Sequence, residues 1–193
     1  MSMILVALAA LQAAAPAAPA ARTLQSLPNV TVKYYDVTGK DMKAINKSIQ
    51  KQRSKDPATG KVNTAGTNWN FSPSFRRTTT NGVCKITEVI TEFSGQADIP
   101  RLANPTSVPP AVAADWQRFQ KGLENDAAAR LWFVYDRIGG LKQAMIGKDC
   151  DQAVKEGALF LEKLKADASA YQPPQQPQAA TVGNPAASVE SND

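Results

Sequence analysis

The sequence predicts one α+β domain in which a long helical hairpin packs on a small sheet. Three patterns predict this class: a strand pattern followed by a helical one near the N-terminus, an Asn-Gly turn between two alternating runs, and a long helical periodicity towards the C-terminus. The chain has 193 residues, of which 43% are hydrophobic and 20% charged, as in ordinary globular proteins. We expect the domain to span residues 29–171.

The first elements are a strand and a helix. Apolar and polar side chains alternate from Asn29 to Val37, which is typical of a strand. Residues 42–53 then carry apolar side chains at helical spacing, and Thr38 and Asp41 precede them at the spacing of a capping box. The helix should end near the Asp-Pro pair that follows residue 55.

An antiparallel hairpin is predicted next. Residues 67–75 alternate, with Pro73 on the aromatic side, so this strand needs an edge position or a bulge. Asn81-Gly82 is the pair that a type I′ turn favours, and it makes the following strand antiparallel. The apolar side of that strand changes register, which predicts a bulge near Thr87 or Glu88.

The helical hairpin follows a proline-rich stretch. Residues 97–110 contain four prolines and are expected to turn the chain, with Ser107 supplying a helix start. Apolar positions three and four apart over residues 111–145 predict one long helix, bent or broken at Gly139-Gly140. Another helix begins at Asp151.

The two cysteines, Cys84 and Cys150, are expected to form one disulfide. In an oxidising compartment a single pair most simply closes on itself, which would tie the helical hairpin to the sheet. The alternative, a cysteine nucleophile, lacks its usual base because the chain has no histidine.

The two ends of the chain have their own compositions. Residues 1–21 hold a short apolar run and then Ala-Pro repeats with small-residue cleavage sites, which is the layout of a secretory signal peptide. We therefore expect a periplasmic or secreted protein with no membrane span after signal removal. Residues 172–193 are rich in Pro, Gln, Ala and Ser and are predicted to be disordered.

The net charge of +5 is concentrated between Lys40 and Lys61. The lysines fall mostly opposite the apolar side of the first helix, so a solvated helix face is the favoured interpretation. The alternative is a surface that binds an anionic polymer of the cell envelope. Nucleic acid is excluded as a partner because no aromatic residues are interleaved with the lysines.

Several segments, in order and spacing, resemble a bacterial family catalogued as domain of unknown function 922 and described as predicted secreted zinc-dependent proteases. They are "YYDVTGKDM", "TNWNFSPSF", "NGVCKITEV", "DIPRL" and "WQRFQKGLENDAAAR". The resemblance covers roughly residues 29–171. It implies a His-Glu-x-x-His helix, in which two histidines bind zinc and the glutamate takes a proton from the metal-bound water.

This chain departs from that motif at every functional position. The two histidine positions hold Asp126 and Arg130, and the glutamate position holds Ala127. A further histidine, which the family carries after a Tyr-Asp pair, is also absent, because Tyr171 is followed by Gln172. We therefore expect no catalytic residue of the family's kind, no zinc and no other cofactor.

The helical spacing of Asp126 and Arg130 favours an ion pair, and we expect it to replace the metal as a structural tie. The predicted function is a non-catalytic binding or structural module of the envelope whose partner is an envelope protein or an anionic polymer. The alternative is an active hydrolase or protease with a non-zinc mechanism, using Glu124, Asp126 or a Ser/Lys pair.

Overall fold

The structure is a computed structural model that describes residues 22–53 and 63–174. In chain order its elements are β1 (Val30–Val37), α1 (Met42–Gln52), β2 (Gly66–Thr80), β3 (Val83–Leu102), a short 3-10 helix (Pro105–Ser107), α2 (Pro110–Ile138), α3 (Gly140–Met145) and α4 (Cys150–Ala170). The predicted α+β class, with helices packed on a small sheet, is confirmed. The predicted signal peptide lies outside the described residues, as does the predicted tail beyond residue 174.

The sheet has the strand order β1-β3-β2. β3 is the central strand, with β1 parallel to it on one side and β2 antiparallel on the other. One face carries Phe93, Ala97 and Ile99, which pack against Leu131 and Val134 of α2. α1 packs at the end of β1 and β3 in a separate cluster with the start of α2. Among the described residues, no helix is both long and apolar enough to cross a bilayer.

The hairpin turn and the bulge are where the sequence predicts them. Asn81 and Gly82 have φ of 53° and 78°, as the type I′ turn requires. Arg76 lies opposite Glu88 and Arg77 opposite Ile86, so Thr87 is the extra residue of the bulge.

The proline in β2 is accommodated by an edge position, with no bulge beside it. The register stays regular past Pro73, which lies opposite Thr91, and shifts only after Arg76. Gly95 donates its N–H to Asn29 O, on the β1 side, so the backbone groups of the residue opposite it in β2 point away from β3. The same alternation turns the nitrogen of Pro73 to the free edge, where no ladder hydrogen bond is lost.

The prediction that the chain turns at the proline-rich stretch is wrong for its first proline. β3 continues through Pro100 to Leu102, paired with β1. Odd-numbered residues in this part of β3 direct their N–H to β1, as Gly95 and Ala103 do. The backbone nitrogen of Pro100 therefore points to the β2 side. β2 offers no partner there, because its first residue, Gly66, lies opposite Asp98. The missing N–H of Pro100 leaves no sheet partner unsatisfied.

Two predicted helix starts need correction. Asp41 alone is the N-cap of α1, and its carboxylate accepts from the N–H of Ala44, whereas the N–H of Thr38 donates to Ser48 Oγ. Ser107 does not cap α2, because its hydroxyl donates to Asn104 O inside the 3-10 turn. α2 starts instead with Pro110 in its first turn, where a missing N–H costs nothing.

The predicted long helix is broken at the predicted glycines. The predicted disulfide is also present. α2 ends at Ile138 and α3 begins at Gly140. Cys84 in β3 is bonded to Cys150, the first residue of α4. Beside the disulfide, the N–H of Ile86 donates to Lys148 O, so the α3–α4 loop joins the edge of β3.

A cluster of polar contacts lies beside the end of α1. The hydroxyl of Tyr35 donates to Thr64 O at 2.6 Å. The guanidinium of Arg53 lies 5.2 Å from the Tyr35 ring centroid and 3.7 Å from the carboxylate of Asp98. These contacts join the ends of the two described segments, residues 22–53 and 63–174.

Tyr35 is expected to make stability fall at alkaline pH. Burial raises the pKa of its phenol above 10.0, Arg53 lowers it and Asp98 raises it. The folded state therefore holds the proton more tightly than the unfolded chain, and this contribution is present below pH 10 and lost as pH rises through the folded pKa. Urea unfolding between about pH 9 and 11 should show a steeper loss in the wild type than in Tyr35→Phe. Equal slopes would contradict the assignment.

Candidate functional site

The positions that correspond to the family's zinc motif lie on one side of α2 but have different environments. Asp126 is exposed and Arg130 is half-buried. Ala127 is 2% exposed and packs with Ala128 and Leu131 into the main core under the sheet. The position at which the resemblance implies a catalytic glutamate is therefore part of the hydrophobic core.

Arg130 interacts with the C-terminal end of α4. Its Nη1 donates to the carbonyl oxygen of Tyr171 at 3.0 Å, and Tyr171 is the C-cap of α4. The last carbonyls of a helix have no partner within the helix and carry its negative partial charge, so a guanidinium is a favourable donor there. Arg130, at the position where the resemblance implies the second histidine, therefore contacts Tyr171, beside which the resemblance implies a further histidine.

The ion pair predicted between Asp126 and Arg130 is not formed among the described residues. The reason is competition: the carbonyl of Tyr171 is a partly covered acceptor, whereas the carboxylate of Asp126 is well hydrated at the surface. The structural tie at this position connects α2 to the end of α4.

Aromatic rings extend the site along α2. The ring of Tyr171 stacks on that of Phe133 with 4.2 Å between centroids and 26° between planes. The guanidinium of Arg137 lies 3.6 Å from the Phe133 ring centroid, and its Nη1 donates to Phe133 O at 3.0 Å. The contacts are those of a cation–π pair next to a stacked pair of rings.

The segment before β1 covers the other flank of α2. Arg22 makes an ion pair with Asp136, at 2.6 Å between Nη1 and Oδ2, and lies 5.1 Å from the centroid of the Trp132 ring. The indole N–H of Trp132 donates to Thr23 O at 3.2 Å. These contacts attach the segment before the predicted domain boundary at residue 29 to α2.

The three aromatic rings, together with Arg22, Asp136 and Arg137, line one open cleft of about 530 Å³. Its walls combine arginines, acids, aromatic rings and prolines: Arg22, Asn125, Asp126, Ala129, Trp132, Phe133, Asp136, Arg137, Tyr171, Pro173 and Pro174. Of the predicted motif positions, only Asp126 lines the cleft. Sequence reasoning missed Phe133 and Arg137, although their spacing of four residues on a helix was a visible signal.

The residues of this site do not fit zinc. The chain has no histidine, and both cysteines are in the disulfide. Within the described residues there is no group of three or more His, Cys, Asp or Glu side chains that could hold a metal ion. Asp126 is a single carboxylate, and the permanently charged Arg130 stands where the second ligand would be.

Fold and site define the chain as an α+β domain whose long helix α2 lies at the edge of an open cleft. Residues 32–173 match the family described as "Bacterial protein of unknown function (DUF922)", and the chain belongs to that family. No curated protein matches the chain. No solved structure matches it either.

Arg130→Ala is expected to cost about 1–2 kcal/mol of unfolding free energy, because the charge-assisted hydrogen bond to Tyr171 O is lost at a half-buried position. Asp126→Ala, the matched control on the same helix, should change stability by less than about 0.5 kcal/mol. Urea unfolding of both variants and of the double variant measures this. A coupling energy above about 0.5 kcal/mol between the two substitutions would show that Asp126 and Arg130 interact after all.

Proposed function

We propose that this chain is a secreted or periplasmic, non-catalytic relative of the predicted zinc-dependent proteases and serves as a binding module of the cell envelope. The observation that carries the proposal is the altered motif on α2. Arg130 holds the end of α4, and Ala127 is 2% exposed within the core. Ala127, at the position where the resemblance implies the glutamate, has no titratable group and cannot take a proton from a bound water.

The cleft supports a binding role. The rings of Trp132 and Phe133 lie beside guanidinium groups, and the ring of Tyr171 stacks on Phe133, an arrangement that provides both apolar contact area and hydrogen-bond donors. The disulfide between Cys84 and Cys150 is compatible with an oxidising compartment outside the cytoplasm.

Metal analysis together with a protease assay tests the loss of catalysis. After dialysis against zinc and then against buffer, we expect less than about 0.1 zinc per chain, since no nitrogen or sulfur ligand set exists. Casein should remain uncleaved. Stoichiometric zinc accompanied by casein cleavage would overturn the proposal, and casein cleavage without zinc would favour the non-zinc hydrolase.

A second candidate, binding of an anionic envelope polymer, is favoured by the exposed face of α1. Lys43, Lys47 and Lys51 are exposed, and each is four residues from the next, opposite the buried Ile45 and Ile49. Among the described residues none of the three lysines makes an ion pair. Their charges are therefore available to a polyanion.

Polyphosphate is a suitable probe for this second candidate. Binding should weaken steeply with salt. Replacing the three α1 lysines with glutamine should weaken it at low salt by about a hundredfold, at about 1 kcal/mol per lysine near an anionic surface. The control variant carries the same charge change at the exposed lysines 142, 155 and 165. Equal loss in both variants would show that only net charge matters.

A further inference from the structure

The edge of β3 that faces β1 is interrupted. β1 pairs with β3 only from Gly95 to Leu102. Towards the hairpin, the α3–α4 loop pairs with the same edge at Ile86, where Gly147 donates its N–H to Ile86 O at 2.9 Å. Between these two partners, residues 87–94 have no neighbouring strand on this edge in the described part of the chain.

The backbone groups along this section point outwards in a regular alternation. Ile86 directs its N–H to Lys148 O at 3.1 Å, and Gly95 directs its N–H to Asn29 O at 3.0 Å. The bulge adds Thr87 on the β2 side of the strand. Counting from both ends, the N–H and C=O groups that point to the interrupted edge belong to Val89, Thr91 and Phe93.

One of these groups already has a side-chain partner. Asn29, at φ 55°, donates from Nδ2 to Phe93 O at 3.2 Å. This side-chain amide takes the place of the backbone N–H that a continuing neighbouring strand would supply. Within the described residues, the N–H groups of Val89, Thr91 and Phe93 and the carbonyls of the first two have no partner. Backbone donors and acceptors in a row of this kind are a template for one more strand.

A second cleft, of about 510 Å³, opens beside this section. It is lined by Thr91 and Phe93 from β3, by Pro28 and Asn29 before β1, and by the end of α2, with Tyr135 and Ile138. Its charged lining residues are both acidic: Asp136 is paired with Arg22, whereas the carboxylate of Glu92 has no ion pair among the described residues. The charge of Glu92 therefore favours a basic occupant.

We propose that the interrupted edge of β3 binds an extended basic peptide as an added short strand. This interaction surface shares only Asp136 with the lining of the cleft of the proposed function. The peptide backbone exchanges hydrogen bonds with Val89 and Thr91. One set of alternating side chains enters the cleft beside Tyr135 and Ile138, and a basic side chain approaches Glu92.

The chain offers a precise way to block this edge. Pro100 shows that β3 accepts proline where the missing N–H faces an empty edge. Thr91→Pro removes a donor from the interrupted edge and should leave the fold intact. Ile90→Pro, one residue earlier, removes a ladder hydrogen bond to β2 opposite Ser74 and should lower the midpoint of thermal unfolding.

Amide hydrogen exchange of the full chain, measured by NMR, tests the proposal residue by residue. In the free protein the amides of Val89 and Thr91 should exchange fast, while those of Ile90 and Glu92 are protected by β2. Acetyl-Lys-Val-Lys-Val-Lys-amide should slow Val89 and Thr91 by about tenfold or more at saturation. Peptides with glutamate in place of lysine, or proline in place of valine, should not.

Calorimetric titration with the same peptide supplies the second measurement. Thr91→Pro should weaken binding by about tenfold or more, and Glu92→Gln by a smaller factor that disappears at high salt. If Val89 and Thr91 are protected without peptide, another segment of the chain fills this edge and the proposal is wrong. It is equally wrong if the basic peptide leaves both amides unchanged at millimolar concentration.

Discussion

Replacing Ala127 with glutamate, the residue that the resemblance implies at this position, is expected to destabilise the domain by about 3 kcal/mol or more. Ala127 is 2% exposed and packs with Leu131 and Val134 under the sheet. A carboxylate at this position would lose its hydration, and among the described residues no cation lies in that cluster. Guanidinium unfolding at neutral pH, followed by circular dichroism, measures the loss.

Ala129→Glu is the matched control for this prediction. It makes the same chemical change on the same helix, but Ala129 lines the open cleft and the new carboxylate can reach water. We expect it to cost less than about 1 kcal/mol. Equal losses in the two variants would show that helix propensity or net charge, and not burial, controls the result. The large difference we expect means that the fold does not tolerate a carboxylate at position 127.

Removal of the disulfide by the double change Cys84→Ser and Cys150→Ser is expected to cost about 4 kcal/mol on the chain-entropy account. The two cysteines are 66 residues apart, so the bond closes a long loop in the unfolded chain. It also holds the α3–α4 loop against β3, beside the Ile86 to Lys148 hydrogen bond. Urea unfolding gives the change in stability, and the exchange rate of the Ile86 amide reports the local opening.

Reduction of the wild-type protein with a thiol reagent is the control for the disulfide, because it breaks the same bond without changing a side chain. Both treatments should lower the unfolding midpoint to a similar extent. A loss of less than about 1 kcal/mol of unfolding free energy in the double variant would show that the chain without the disulfide retains the contact between β3 and the start of α4.

Features set by neighbouring residues were predictable from the sequence. The turn at Asn81-Gly82 depends on positive φ at two adjacent positions. The bulge at Thr87 shows as a change of apolar register along a single strand. The break between α2 and α3 follows from consecutive glycines. In each case the residues that cause the feature lie within a few positions of it in the sequence, so a local pattern reveals it.

Features that depend on distant partners were not predictable from the sequence. Whether Pro100 ends a strand depends on which edge is empty at that point, and this is decided by where β2 begins. The partner of Arg130 is a carbonyl 41 residues away, which no helical spacing can indicate. The same applies to Arg22, whose contacts with Trp132 and Asp136 join residues more than a hundred positions apart.

β3 contributes to every hydrophobic cluster that the described residues form. Phe93 and Ile99 belong to the cluster under α2, Leu102 to the cluster at α1, and Ile86 and Val89 to the cluster at α3 and α4. Each cluster therefore depends on a strand that also supports the other two. Unfolding should accordingly be all-or-none, and a local weakening anywhere along this strand is shared by the whole domain.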